Sequence, residues 1–144
     1  MRASFRHMYI NTMHLQNLPG CTIVQQNKNG FSAELLIRDG KYKLRLDYRE
    51  KDTPKVYLVY PDICSLRHHE IHLFGMRYHP AYNKELPLLC LTYYDNDKWD
   101  SSIPLTRSYI PWAIEWTEFY ELWLLTGKWY GRGIHPGGKK TDDK

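Results

Sequence analysis

Between Cys21 and Pro61 apolar side chains fall on every second residue, and that period dictates a sheet. Thr22 to Gln26 reads as a strand and Asn27-Lys28-Asn29-Gly30 as its turn. Phe31, Ala33, Leu35 and Ile37 then alternate with Ser32, Glu34 and Arg38. Asp39-Gly40 signals a short hairpin, because a type I′ turn needs positive φ at both central positions. Tyr42, Leu44, Leu46 and Tyr48 alternate with Lys43, Arg45 and Asp47. After a charged turn, Arg49 to Pro54, a fourth strand runs from Lys55 to Tyr60. Pro61 ends it, since proline cannot donate to a ladder. The product is a four-stranded antiparallel meander with one apolar face, and such a face has to be covered.

The cover lies near the other end of the chain. Pro111 suits the first turn of a helix, where its missing N–H costs nothing. Trp112, Trp116, Phe119, Tyr120, Trp123 and Leu124 then recur at helical spacing, with Glu115, Glu118 and Glu121 largely off that stripe. Gly127 is placed to stop the helix, so residues 111–126 should span about 24 Å. Burying three Trp there contributes several kcal/mol at about 25 cal/mol per Å². The stripe is core first and needs no ligand to explain it. Trp129 and Tyr130 are expected to fold back on the same core. Met8 to Leu18 reads either as a short helix stopped by Pro19-Gly20 or as an irregular arm.

The 144 residues fit one domain, expected over 1–135 with a flexible tail at 136–144, and no internal repeat is present. The net charge of +4 is spread along the chain without a Lys/Arg block, so nucleic acid is not an expected partner. Three cysteines, Cys21, Cys64 and Cys90, are too few and too odd for a disulfide framework and favour a reducing compartment. No apolar run approaches the roughly 20 residues of a membrane span. The expected location is cytoplasmic, with no membrane partner.

Residues 61–105 show no sustained period and are rich in His, Tyr, Asn and Asp. A segment of this length without regular structure is usually functional, so it reads as a long active-site loop. It holds Cys90, set in Leu88-Leu89-Cys90-Leu91, with His79-Pro80 upstream and Trp99 downstream. A thiolate is a strong nucleophile and its thioester a reactive acyl donor. An acyl carrier needs that sulfur partly exposed, and a polar group to stabilise the oxyanion when an amine attacks. The bland alternative is a core cysteine, since cysteine is among the most buried residue types. Cys21 and Cys64 read as structural.

Residues 42–130 resemble the ubiquitin-conjugating enzyme family, particularly its bacterial members in antiviral operons. The strand pair ending at Pro61 resembles the family's third and fourth strands, and the Leu89-Cys90-Leu91 segment after a His-Pro pair resembles its thioester site. Pro111-Trp112, Glu115-Trp116, Tyr120-Glu121, Trp123, Thr126-Gly127-Lys128-Trp129 and Gly131 resemble the C-terminal stretch of the antiphage members. Those members are encoded beside a cGAS-like nucleotidyltransferase in the cyclic-oligonucleotide systems known as CBASS. The resemblance implies an α+β fold: a four-stranded antiparallel meander, a long active-site loop and a covering C-terminal helix. It implies acyl transfer through a Cys90 thioester, without cofactor or metal. The implied partner is a cGAS-like nucleotidyltransferase or another protein with a conjugatable C-terminus.

A departure from the family lies at its oxyanion motif. The eukaryotic His-Pro-Asn, whose Asn is the oxyanion donor, is replaced by His79-Pro80-Ala81-Tyr82-Asn83. Cys90 follows His79 by eleven residues, one more than the family spacing. Asn83 is the only Asn between them and is the candidate replacement donor. His79 is expected to orient the loop or to sit beneath it as a satisfied polar residue. Asp97 and Asp100 are candidates to help deprotonate an attacking amine, against the plainer reading of a solvated turn. Cys64, His68, His69 and His72 do not have the spacing of a structural zinc set. The missing His-Pro-Asn keeps open a second function, a non-catalytic protein-binding module of the same fold.

Overall fold

The computed structural model describes residues 5–27, 29–49, 52–63, 71, 73–91 and 103–131. In chain order the elements are α1 (Phe5–Gln16), β1 (Cys21–Asn27), β2 (Gly30–Ile37), β3 (Tyr42–Arg49), β4 (Lys55–Tyr60), β5 (Leu73–His79), β6 (Lys84–Leu89) and α2 (Tyr109–Thr126). A 3-10 turn at Leu105–Arg107 leads into α2. The strands form one antiparallel sheet in the order β1-β2-β3-β4-β6-β5. The fold is α+β, as expected.

The meander follows its alternation closely. Phe31, Ala33, Leu35 and Ile37 of β2 pair with Tyr48, Leu46, Leu44 and Tyr42 of β3, so eight apolar side chains share one face. All eight are buried in a single core with Val56 and Leu58 of β4. The β2–β3 turn is longer than the two-residue form. Arg38, Asp39 and Gly40 all take left-handed φ, at 54°, 61° and 81°. Gly40 N–H donates to Ile37 O and Lys41 N–H to Arg38 O, giving two overlapping turns. The side chain of Arg38 then reaches α2, donating to Thr117 Oγ1 and Glu121 Oε1.

α2 covers that face through Tyr109, Ile110, Ala113, Trp116, Tyr120 and Trp123, at steps of three and four residues. The buried stripe is rotated from the expected one: Leu124 lies on the solvent side, and Trp112 and Phe119 are only partly buried. Glu121, read as a solvent-side residue, accepts from Arg38 and from the Tyr42 hydroxyl at 2.8 Å. Gly127 ends the helix in left-handed conformation, φ 79°, its N–H on Trp123 O at 2.7 Å. Trp129 folds back against Trp116 and Phe119, whereas Tyr130 stays exposed.

α1 packs on the same core through Leu15. Its Asn11 Oδ1 accepts from Leu105 N–H at 2.8 Å, capping the turn that precedes α2. Gly20 then lets the chain turn into β1: its φ is 83°, and a Cβ would stand 2.6 Å from Leu36 O.

Two expectations need correction. Among the described residues the sheet has six strands, not four, and the stretch read as one long loop contains the β5–β6 hairpin. The alternation there is masked because Phe74, Met76 and Tyr78 lie on an edge strand with little burial, and Gly75 sits at a bulge, φ 118°. Pro87 inside β6 also argues against a strand by sequence rules. Residues 92–102 of the expected loop, with Trp99, Asp97 and Asp100, lie outside the described residues, as do Cys64, His68, His69, His72 and the expected tail. Among the described residues no helix is long and apolar enough to cross a membrane, and no group of three or more acidic, His or Cys residues is placed to hold a metal ion.

Candidate active site at Cys90

Cys90 follows the last residue of β6, a strand with a neighbour on each side. Leu86 and Leu88 of that strand face away from α2, in a second apolar cluster with Tyr57. Leu89 and Leu91 instead join the main core. Even and odd positions thus alternate between the two clusters on either side of the cysteine. Cys90 as a residue is 5% exposed, so the partly exposed cysteine expected of a carrier is here a buried one. Tyr109, at the start of α2, is its electrostatic neighbour: burial, then Tyr48, then Cys90 push the Tyr109 hydroxyl well above its ordinary range. The hydroxyl accordingly stays protonated, a donor in the surroundings of the sulfur. Nothing in the sequence marks Tyr109 out from the other eleven tyrosines.

His79 closes β5 and is buried. Its Nε2 lies 2.8 Å from Asp47 Oδ2, and its Nδ1 accepts the Ala81 N–H at 3.2 Å. This pattern places the ring proton on Nε2 and leaves neither nitrogen over for a reacting group. The His79 carbonyl accepts from Tyr82 N–H and Asn83 N–H, which folds the chain back into β6. Asn83 takes a left-handed φ of 54° in that turn, and its Oδ1 accepts the Tyr78 hydroxyl at 2.8 Å. Both residues sit at the turn end of β6, and Cys90 follows the opposite end. The intervening strand is roughly 20 Å of extended chain. The structure brings His79 and Asn83 together with each other, not with the thiol.

What His79 does join is a charged network on the sheet face away from α2. Asp47 accepts from Ser32 Oγ at 2.7 Å, Arg45 Nε at 2.9 Å and His79. Burial works against the Asp47 carboxylate, but the hydrogen bonds from Ser32, Arg45 and His79 outweigh it and hold its pKa below the usual value. Tyr82 donates its hydroxyl to Glu34 Oε2, and Lys43 pairs with Glu34 Oε1 at 3.2 Å. The Tyr82 bond is the first cause that keeps Glu34 low, and burial followed by Glu34 pushes the Tyr82 hydroxyl up to about 12. Arg45 stacks over the Tyr82 ring, and His79 meets the Tyr57 ring edge to face at 4.8 Å. In the sequence Asp47, Glu34 and Arg45 read only as the polar side of the strands; the bonds of Asp47 to Ser32 and His79, and of Glu34 to Tyr82, have no local signal.

A family model described as Type II CBASS E2 protein matches residues 10–136. The chain belongs to this family. The match runs from α1 through all six strands and α2, and so includes His79, Asn83 and Cys90. No curated protein matches the chain. In this E2-type member β5 and β6 form a hairpin, and the cysteine directly follows its second strand. Cys21, at the start of β1, is half-buried, and burial pushes its thiol pKa up, the opposite of activation.

Proposed function

We propose that this chain is a thioester-forming, E2-type acyl carrier of type II CBASS, with Cys90 as its nucleophile. The observation that carries the reading is the family match across a segment in which a cysteine directly follows an inner strand, near Tyr109 at the start of α2. Cys90 Sγ, as thiolate, attacks the carbonyl carbon of a C-terminal acyl group already activated as a thioester or acyl adenylate. The tetrahedral intermediate expels the partner thiolate or AMP and leaves the acyl group on sulfur. An amine then attacks the same carbon, loses a proton to solvent, and releases the Cys90 thiolate as the amide forms. The acyl donor in this reading is the C-terminus of a cGAS-like nucleotidyltransferase. No cofactor or metal takes part.

The roles first expected of His79 and Asn83 change within this reading. Asn83 is committed to the hairpin turn and is not carried forward as the oxyanion donor. His79 is assigned to holding the hairpin and not to proton transfer. The test is intact mass under non-reducing conditions after expression with the native operon neighbours. The expected result is a thiol-labile protein adduct on the natural chain, a more stable one on Cys90→Ser and none on Cys90→Ala.

The burial of Cys90 favours a second reading, a non-catalytic module that binds the same kind of partner. Under it no adduct forms in any variant, and iodoacetamide reaches Cys90 only when the whole chain unfolds.

A further inference from the structure

The hairpin that bears Cys90 is joined weakly to the rest of the sheet by its own backbone. β2 and β3 pair along eight positions, whereas β4 and β6 pair at one, Tyr57 with Leu88. Pro87, the next residue inward from Leu88, has no N–H to give to either neighbour. The base is seated by side chains instead, Leu73, Leu89 and Leu91 in the main core and Leu86 and Leu88 against Tyr57. The tip of the hairpin is also fastened, and to strands it does not neighbour in the sheet. His79 reaches Asp47 on β3, and Tyr82 reaches Glu34 on β2. Both carboxylates are themselves anchored, Asp47 by Ser32 and Arg45 and Glu34 by Lys43. The tip is thus folded over the polar face of the meander and held at two points, while the base carries the cysteine.

We propose that Asp47 and Glu34 are positioning residues for the Cys90 thiol, acting through the tip of the β5–β6 hairpin. The strand between tip and base is paired with β5 along its length, so the hairpin moves as one piece and a shift at the tip is transmitted to the sulfur. The inference rests on the assignment of Cys90 as the carrier. Its test needs no acyl donor, so the two can fail separately.

The experiment is alkylation of the full native chain by iodoacetamide from about pH 6 to about pH 10, read by peptide-resolved mass spectrometry. Cys21 serves as the internal control. Tyr82→Phe removes one hydroxyl from the Glu34 contact, and Asp47→Asn removes the charge that holds His79. In each folded variant the Cys90 rate constant should change by at least about tenfold with a displaced pH profile, since alkylation follows the exposure and thiolate fraction of the sulfur. Cys21 should not change, and the circular dichroism spectrum should be that of the natural chain. Loss of the fold in Asp47→Asn leaves Tyr82→Phe to decide. A Cys90 profile superimposable on the natural one in a folded Tyr82→Phe chain overturns the proposal. So does a parallel change at Cys21, which would mark general loosening.

Discussion

The two faces of the sheet are built on different physics. The face toward α2 is held by area: alternating side chains of β2 and β3 meet Trp116, Tyr120 and Trp123 in one continuous core. The face under the hairpin tip is held by direction: Ser32, Asp47, Arg45 and His79 bond in a chain, with Tyr82 and Glu34 beside it. Apolar burial tolerates small shifts, because its energy scales with area. A hydrogen-bonded charge network does not, because each member is costly once its partner is gone. The covered face thus holds most of the apolar core, and the open face ties the hairpin tip to β3 and β2.

The largest expected effect lies on the covered face. Trp116 is buried against Tyr120 at 5.4 Å and Trp129 at 5.5 Å. Trp116→Ala should cost about 3–5 kcal/mol in a denaturant titration. A loss near that of a surface change would break the account of α2 as the cover.

Asp47→Asn comes next, at about 2–3 kcal/mol for the loss of charge-assisted bonds. Its pH signature separates it from a packing defect. The folded Asp47 carboxyl titrates below the unfolded one, near 3.9, so the unfolded chain binds more protons in that range. The contribution is full above about pH 5 and is lost as pH falls through the folded pKa. Melting temperature followed from about pH 6 down to about pH 2 should fall more gently in Asp47→Asn than in the natural chain. Equal slopes would remove the network from the stability of the open face.

Smaller effects sharpen the boundary between covered and uncovered surface. Gly127→Ala should cost about 1 kcal/mol, since its φ of 79° is a conformation that alanine resists. Leu125 is 84% exposed, and Leu125→Ser should change stability by no more than about 0.5 kcal/mol. Thermal melts of both variants check the two values. A larger loss at Leu125 would mean that α2 buries a second side.

Legibility in the sequence divides along the same line. The meander could be read because each strand alternates on its own, residue by residue, from Phe31 to Tyr48. α2 could be read because its aromatic residues recur at helical spacing, although Leu124 had no local sign of facing solvent. The β5–β6 hairpin could not, since an exposed edge strand carries no burial pattern and Pro87 speaks against a strand. The site was half legible. The Leu-Leu-Cys-Leu segment and the Trp-rich helix pointed to Cys90, but the polar partners of His79 and Tyr82 come from β3 and β2, dozens of residues away. Asn83 attracted a catalytic expectation by proximity in sequence, and the strand between it and Cys90 removes that proximity in space.

The most direct test of the central claim is to map the bond itself. The chain is co-expressed with its operon neighbours as Cys90→Ser, digested and sequenced by mass spectrometry. The account predicts one crosslinked peptide, joining the C-terminal carboxyl of the cGAS-like protein to the hydroxyl of residue 90. A crosslink at Cys21 or Cys64, or none while the natural chain is folded and coexpressed with the same neighbours, would contradict it.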